Sequence, residues 1–262
     1  MTAWVHTYNK TAKIPPMKPF AFALLLAILS GCSTSASSGN VAWRVREMAL
    51  APTSTVTLYG PGEKVLLVMN KQTVQRLLLA HFRITRSAGI QAELFIVEGE
   101  EPNAFAGVIE GRRMIAINIA MVKLIGENTD EFAALLGHEA AHWAKGHVDS
   151  SQARSSTIQG IGTLIGVGLG IAGVPAAGII TGLGADLIQA SYGRDDEREA
   201  DALGIEYMWA AGFDPQGALR LQEKMLKLPG ARKVPFLSSH PSGEERVENL
   251  QKLIKAKQGK SE

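Results

Sequence analysis

One cysteine stands in 262 residues, Cys32, so the chain can form neither an intramolecular disulfide nor a cysteine-rich zinc site. Nor does it carry an excess of one charge. Its 27 Lys and Arg face 25 Asp and Glu, a formal +2. The first 31 residues hold Lys10, Lys13 and Lys18 and no acid, so without them the balance is −1. A near-neutral chain lacks the basic footprint of a nucleic-acid binder, and no nucleic-acid partner is expected. With 46% hydrophobic and 20% charged residues, the composition is that of a globular protein. It excludes wholesale disorder and a polytopic membrane protein. The length suits one large domain or two small ones.

The first 31 residues read as a signal peptide. Lys18 gives a positive start, and Phe20 to Leu29 is an apolar run of ten residues. Ten is too short to span a bilayer and right for the core of a secretion signal. Met17 is the expected true start of this leader. Leu29-Ser30-Gly31-Cys32 resembles a bacterial lipobox, in which the cysteine is acylated and becomes the first mature residue. Ser33 to Asn40 is small and polar, so residues 32–40 read as a lipidated cysteine and a flexible tether. Serine after the cysteine points to the outer membrane of a two-membrane cell, with the domain in the periplasm.

Residues 41–262 are expected to form one α+β domain, mainly helical, with a small antiparallel sheet. Val41 to Leu50 reads as a short helix. Val65 to Arg86 reads as an amphipathic one, with Val74, Leu77, Leu78 and Phe82 on its apolar face. Glu93 to Val97 and Met114 to Ile119 are strand-like, and Gly111-Arg112 marks a turn before the latter. Met114 to Asn118 is the expected exposed edge. Asn128 to Lys145 is the clearest helix, with Asn128 as N-cap, Glu131 completing a capping box and Gly146 closing it. Further helices are expected over Asp195 to Ala211 and Glu244 to Lys257. Between Arg154 and Asp186 lie 31 uncharged residues with nine glycines and Pro175. They read as a hairpin of two short helices over about 155–185, the alternative being a membrane span.

Gly137-His138-Glu139-Ala140-Ala141-His142 contains H-E-x-x-H. On a helix His138 and His142 share a face, so both imidazoles reach one Zn²⁺. Glu139, one residue on, leans over the same site and can take a proton from a water that the metal activates. Zinc needs a third protein ligand. The extended motif of the metzincins is absent, since Lys145 and Val148 stand where it has Gly and His. His147 is one residue off that register and reads as a histidine near the last carbonyls of the helix.

Downstream lies Glu197-Arg198-Glu199-Ala200-Asp201. H-E-x-x-H followed by this E-x-x-A-D resembles the HtpX and CAAX prenyl protease family of zinc metallopeptidases, and within it the lipid-anchored bacterial members. The likeness runs from about Val65 to the end. It includes Asn103-Ala104-Phe105-Ala106, Ala211-Gly212-Phe213-Asp214-Pro215 and Ser239-His240-Pro241 with Arg246. Where family members often continue with paired glycines, this chain has Gly107-Val108-Ile109. The resemblance implies a zincin-like domain holding one Zn²⁺ per chain. By the family's pattern Glu197 is the third ligand. Asp201, one turn on, then orients a ligand histidine. Asp195 and Asp196 favour the helix N-terminus, and Glu199 belongs to a solvated face.

His240 either approaches the metal, as a latching fourth ligand or as a donor to the developing oxyanion, or is a structural histidine before Pro241. Arg246 orders this loop, contacts substrate, or lies on a helix surface. Asn103 is a second candidate for substrate binding, and Tyr192 a weaker oxyanion candidate. The implied function is a zinc-dependent metalloendopeptidase, lipid-anchored in the bacterial envelope, that cleaves misfolded or misassembled envelope proteins. The alternative is a chaperone-like outer-membrane assembly factor with a latched, rarely active metal site.

Overall fold

Two periods of hydrophobicity alternate along the chain, and the elements follow them. The computed structural model describes residues 40–109, 111–150, 179–183, 192–240 and 244–259. The signal peptide, Cys32, most of the tether and the glycine-rich stretch apart from 179–183 lie outside the described residues.

The chain opens with strand β1 (Asn40–Arg44) and the short helix α1 (Val45–Leu50). Strands β2 (Thr55–Tyr59) and β3 (Val65–Asn70) form a two-stranded ribbon. Helix α2 (Lys71–Ala88) follows. Then come β4 (Glu93–Val97), β5 (Ala104–Ile109), β6 (Arg112–Asn118) and helix α3 (Ile119–Ile125). Helix α4 (Thr129–Ala144) carries the histidine pair. Strand β7 (Ile179–Leu183) precedes helices α5 (Arg194–Ala210), α6 (Gln216–Leu226), α7 (Pro235–Ser239) and α8 (Glu244–Gln258).

The expected sheet is present, but it is mixed rather than antiparallel. Its order is β5-β6-β4-β1-β7, and β4 and β6 run parallel with Glu93 opposite Met114 and Val97 opposite Asn118. The physical reason lies in the hairpin. β4 leads across to the outer strand β5, and the turn at Gly111 (φ +73°) folds β6 back into the gap between them. Met114 to Asn118 is therefore interior, paired on both sides, and β5 is the edge. Ile115 and Ile117 face the main core, while Met114 and Ala116 are buried with Phe95, Val97 and Phe105 on the other face. A strand buried on both faces reads as a continuous apolar run, as this one does.

Three helical expectations shift for the same reason: pairing overrides local pattern. Val41 to Arg44 is strand because it pairs with β4. Val65 to Asn70 pairs with β2, so the amphipathic helix begins only at Lys71, where Asn70 accepts from Gln72 N at 2.8 Å. Within α2 the buried row is Val74, Leu77, Ala80 and Ile84, and Phe82 faces outward at 53% exposure. Residues 179–183, expected inside a helical hairpin, add a strand to β1.

Helix α4 is as expected, with Asn128 accepting from Glu131 N at 3.1 Å and Gly146 at φ +69° beyond its end. The Glu131 carboxylate does not close a capping box; it is buried and accepts from Lys224 at 2.7 Å. Helices α4 and α5 meet glycine to glycine. A Cβ on Gly137 would lie 3.0 Å from the Gly204 carbonyl oxygen, and one on Gly204 3.2 Å from the His138 nitrogen. That contact brings the backbone of α5 against the residue that opens the metal motif.

His81, on the buried face of α2, is 3% exposed, with only a weak backbone contact to Ala92 to support a charged ring. Burial lowers its pKa from 6.5 to about 4. Above pH 6.5 this costs nothing. As pH falls towards 4 the unfolded chain takes up a proton that the folded chain refuses, and stability drops by roughly 3 kcal/mol. Urea unfolding across this range is expected to show a loss of about that size in the wild type beyond any in His81→Leu. Parallel pH dependences for the two would contradict it.

Candidate metal centre

Four buried side chains converge between α4, α5 and the residue after α7: His138, His142, Glu197 and His240, whose ligand atoms lie within 4.8 Å of one another. The helical repeat sets the first two, four residues apart on one face of α4. The glycine contact between α4 and α5 lets Glu197, two turns before Gly204, reach them. His138 Nε2 and His142 Nε2 are 3.2 Å apart, and each lies 3.4 Å from a Glu197 oxygen. The two contacts fall on different oxygens, Oε2 and Oε1; a tetrahedral centre with ligands at about 2.0–2.2 Å has edges of about 3.3–3.6 Å, so separations of this size suit Zn²⁺. His240 Nδ1 stands 3.2 Å from His138 Nε2 and 2.9 Å from Glu197, at the fourth corner. The donor set is three imidazole nitrogens and one carboxylate, a set that suits zinc.

Glu139 sits beside this group, fully buried, and among the described residues neither carboxylate oxygen has a hydrogen-bond partner. Burial raises its pKa, against the pull of His240 and His138. His240 Nε2 lies 3.5 Å from its Oε1 and also has no hydrogen-bond partner among the described residues. Glu197 behaves in the opposite way. Burial would raise its pKa, but His138, His142 and His240 hold it well below the usual carboxylate range.

Asp201, one turn after Glu197, lies against His138, its Oδ1 3.1 Å from His138 Nδ1. Arg246 is 9% exposed, so the helix-surface reading fails. Its Nη2 lies 2.6 Å from Asp201 Oδ1, and its Nη1 is 3.4 Å from Glu197. This cation sits behind the ligand carboxylates, which favours ordering the site over meeting a substrate. For His138, burial and Arg246 oppose the charged ring, yet Glu197 and Asp201 outweigh them and its pKa rises to about 9.

Asn103 ends up at the entry to the edge strand β5, its backbone amide donating to Asn118 Oδ1 at 3.0 Å. Its own side-chain oxygen is buried without a hydrogen-bond partner among the described residues. The Tyr192 ring lies flat on that of His142, centroids 3.7 Å apart, and burial pushes the pKa of its hydroxyl, which has no partner among the described residues, well up. Asp195 is exposed, and Asp196 caps the backbone amide of Gly193 at 3.0 Å.

Sequence reasoning missed His147. Its ring does not sit at the last carbonyls of α4; Nδ1 faces His142 Nδ1 at 3.0 Å and Nε2 faces Glu199 at 3.2 Å. The available signal was its position just past Gly146, where the chain leaves α4 and can turn back on the face that holds His142.

A model of the peptidase family M48 matches residues 70–254. The mitochondrial metalloendopeptidase OMA1 of Schizosaccharomyces pombe is 28% identical over 205 residues, 77% of this chain and 58% of that protein. The beta-barrel assembly-enhancing protease of Escherichia coli is 30% identical over 162 residues, 58% of this chain and 32% of that protein. The metalloprotease LoiP of the same species is 25% identical over 157 residues, 60% of each. The chain thus spans about half the length of the curated relatives it matches.

Zinc content after dialysis against a mild chelator reads the ligand set. His138→Ala and Glu197→Ala are expected to empty the site. Asp201→Asn weakens binding about 10–100-fold, as for an outer partner of a ligand. Asp195→Asn, at the surface, leaves it unchanged. A loaded Glu197→Ala protein would remove Glu197 from the set.

Proposed function

The chain belongs to peptidase family M48, and from that membership and the site's geometry we propose that it is a zinc-dependent metalloendopeptidase with a closed resting site. The observation that carries the reading is the convergence of His138, His142 and Glu197 beside a buried Glu139 whose two oxygens have no hydrogen-bond partner among the described residues. Zinc, when bound, supplies a Lewis acid for the scissile carbonyl and lowers the pKa of the attacking water. Glu139 accepts that water's proton and passes it to the leaving amine; its raised pKa suits both steps. Asp201 and Arg246 keep His138 and Glu197 in place. Tyr192, whose hydroxyl has no partner among the described residues, is a donor for the developing oxyanion.

His240 gives the second reading its support. Its Nδ1 fills the fourth corner, whereas a catalytic zinc site keeps one position for water or substrate. We read this as a latch that must swing out before cleavage. It is equally the arrangement of an assembly factor that seldom turns over. The helix before His240 is tied to the edge strand: Phe236 N donates to Pro102 O at 3.3 Å, just ahead of Asn103 and β5. An extended substrate adding to β5 by main-chain pairing, with Asn103 at its end, arrives beside the latch.

The leader and the relatives support a reading of substrates and place. A lipobox at Cys32 supports a lipid anchor in the bacterial envelope, with the domain facing the periplasm from the outer membrane. Relatives named metalloprotease and beta-barrel assembly-enhancing protease support misfolded or misassembled envelope proteins as substrates.

Cleavage of unfolded casein, with and without a chelator, tests the activity. Glu139→Gln is expected to keep its zinc and lose about 10²–10⁴-fold in rate. His240→Ala is expected to cleave faster than the wild type; a loss of about 100-fold instead would make His240 an oxyanion donor. Mass spectrometry of membrane-extracted protein is expected to find an acylated Cys32 as the first residue. An unmodified start further along would refute the anchor.

A further inference from the structure

The acidic run Asp195-Asp196-Glu197-Arg198-Glu199 sends Glu197 into the metal-binding group and Glu199 to His147. The two lie about 200° apart around α5, so they serve different sides of one histidine, His142. We propose that His147 and Glu199 are positioning residues that hold His142 in the tautomer whose Nε2 is free to bind a metal, a role that rests on reading His142 as a ligand.

The polarity of the contacts leads to this. His142 Nε2 faces His138 and Glu197, so a neutral ligand ring must carry its proton on Nδ1. That Nδ1 lies 3.0 Å from His147 Nδ1. Two facing imidazole nitrogens share one proton, so the bond could run either way. Run backwards, with His147 donating, it would leave the His142 proton on Nε2, pointing at the metal position and blocking it. Glu199 breaks the tie. Its Oε2 lies 3.2 Å from His147 Nε2, and a carboxylate only accepts. Lys145 Nζ holds the other oxygen at 2.7 Å. With its proton drawn to Nε2, His147 offers only a lone pair at Nδ1, and His142 must donate. His147 is 8% exposed, so water competes little for either nitrogen. Asp196 Oδ1, at 3.6 Å from His147 Nε2, favours the same polarity more weakly. His138 is held by a carboxylate directly, through Asp201. His142 is held by one through an intervening imidazole. Carboxylate or carbonyl partners that fix a ligand histidine's tautomer are worth 10–100-fold in metal affinity.

The test uses full-length chain, three variants and two readouts: zinc affinity by competition with a chromophoric chelator, and long-range proton–nitrogen NMR of histidine-labelled, metal-free protein. His147→Leu removes the acceptor and is expected to bind zinc about 10–100-fold more weakly. Its His142 then shows a mixture of tautomers where the wild type carries the proton on Nδ1. His147→Asn puts an amide oxygen where Nδ1 was and is expected to restore both readouts, which space-filling alone would not do. Glu199→Gln, at a half-exposed position that tolerates change, is expected to lose several-fold in affinity, with a mixed His142 tautomer. Zinc affinity and tautomer unchanged in His147→Leu, or His147→Asn no better than His147→Leu, would overturn the proposal. If the wild type binds no zinc, the metal reading fails while the tautomer measurement still decides this one.

Discussion

Three carboxylates, those of Glu139, Glu197 and Asp201, lie side by side with less than a tenth of their surface exposed, and among the described residues Arg246 is the one permanent cation set against them. With neutral imidazoles the cluster carries two negative charges in excess. Burying uncompensated charge costs several kcal/mol per ion, so something must answer it. Protons do so in part: His138 keeps its charge up to about pH 9, and Glu139 is pushed towards its neutral form. A divalent cation, by displacing that proton from His138, supplies positive charge at one point, where four ligand atoms already converge. The other features of the site serve that balance. The glycine contact of α4 and α5 brings Glu197 in, Arg246 steadies the carboxylates from behind, and Asp201 and His147 orient the imidazoles.

Much of the site was legible because its chemistry is local. Helical spacing puts His138, Glu139 and His142 on one turn, and a fixed interval puts Asp201 one turn after Glu197. His240, Arg246 and His147 were harder, because their roles depend on where distant segments cross. Nothing near position 246 marks an arginine that will be buried against Asp201. His147 follows a helix-ending glycine, and its partner Glu199 lies 52 residues on.

The fold divides in the same way. Start and stop residues marked the helices: Asn128 and Gly146 for α4, Gly212 for α5, and Pro241 ahead of α8. The sheet was recognised by its β-branched runs, but its order was not, since an outer strand made before an inner one leaves no mark in either. That order matters for function. It makes β5 rather than β6 the open edge, and it sets the entry to that edge against the turn that carries His240. The same turn stacks Phe236 on His240, with ring centroids 4.5 Å apart, so His240 is held by packing as well as by its contacts to the His138–Glu197 group.

The central claim is that the resting centre is a closed set of four, with His240 as its fourth member. X-ray absorption at the zinc edge measures this directly on the loaded protein. The expected spectrum is that of four nitrogen and oxygen ligands at about 2.0–2.2 Å, three of them imidazoles, falling to two imidazoles in His240→Ala. Two imidazoles in the wild type, with a spectrum that His240→Ala does not change, would contradict the account.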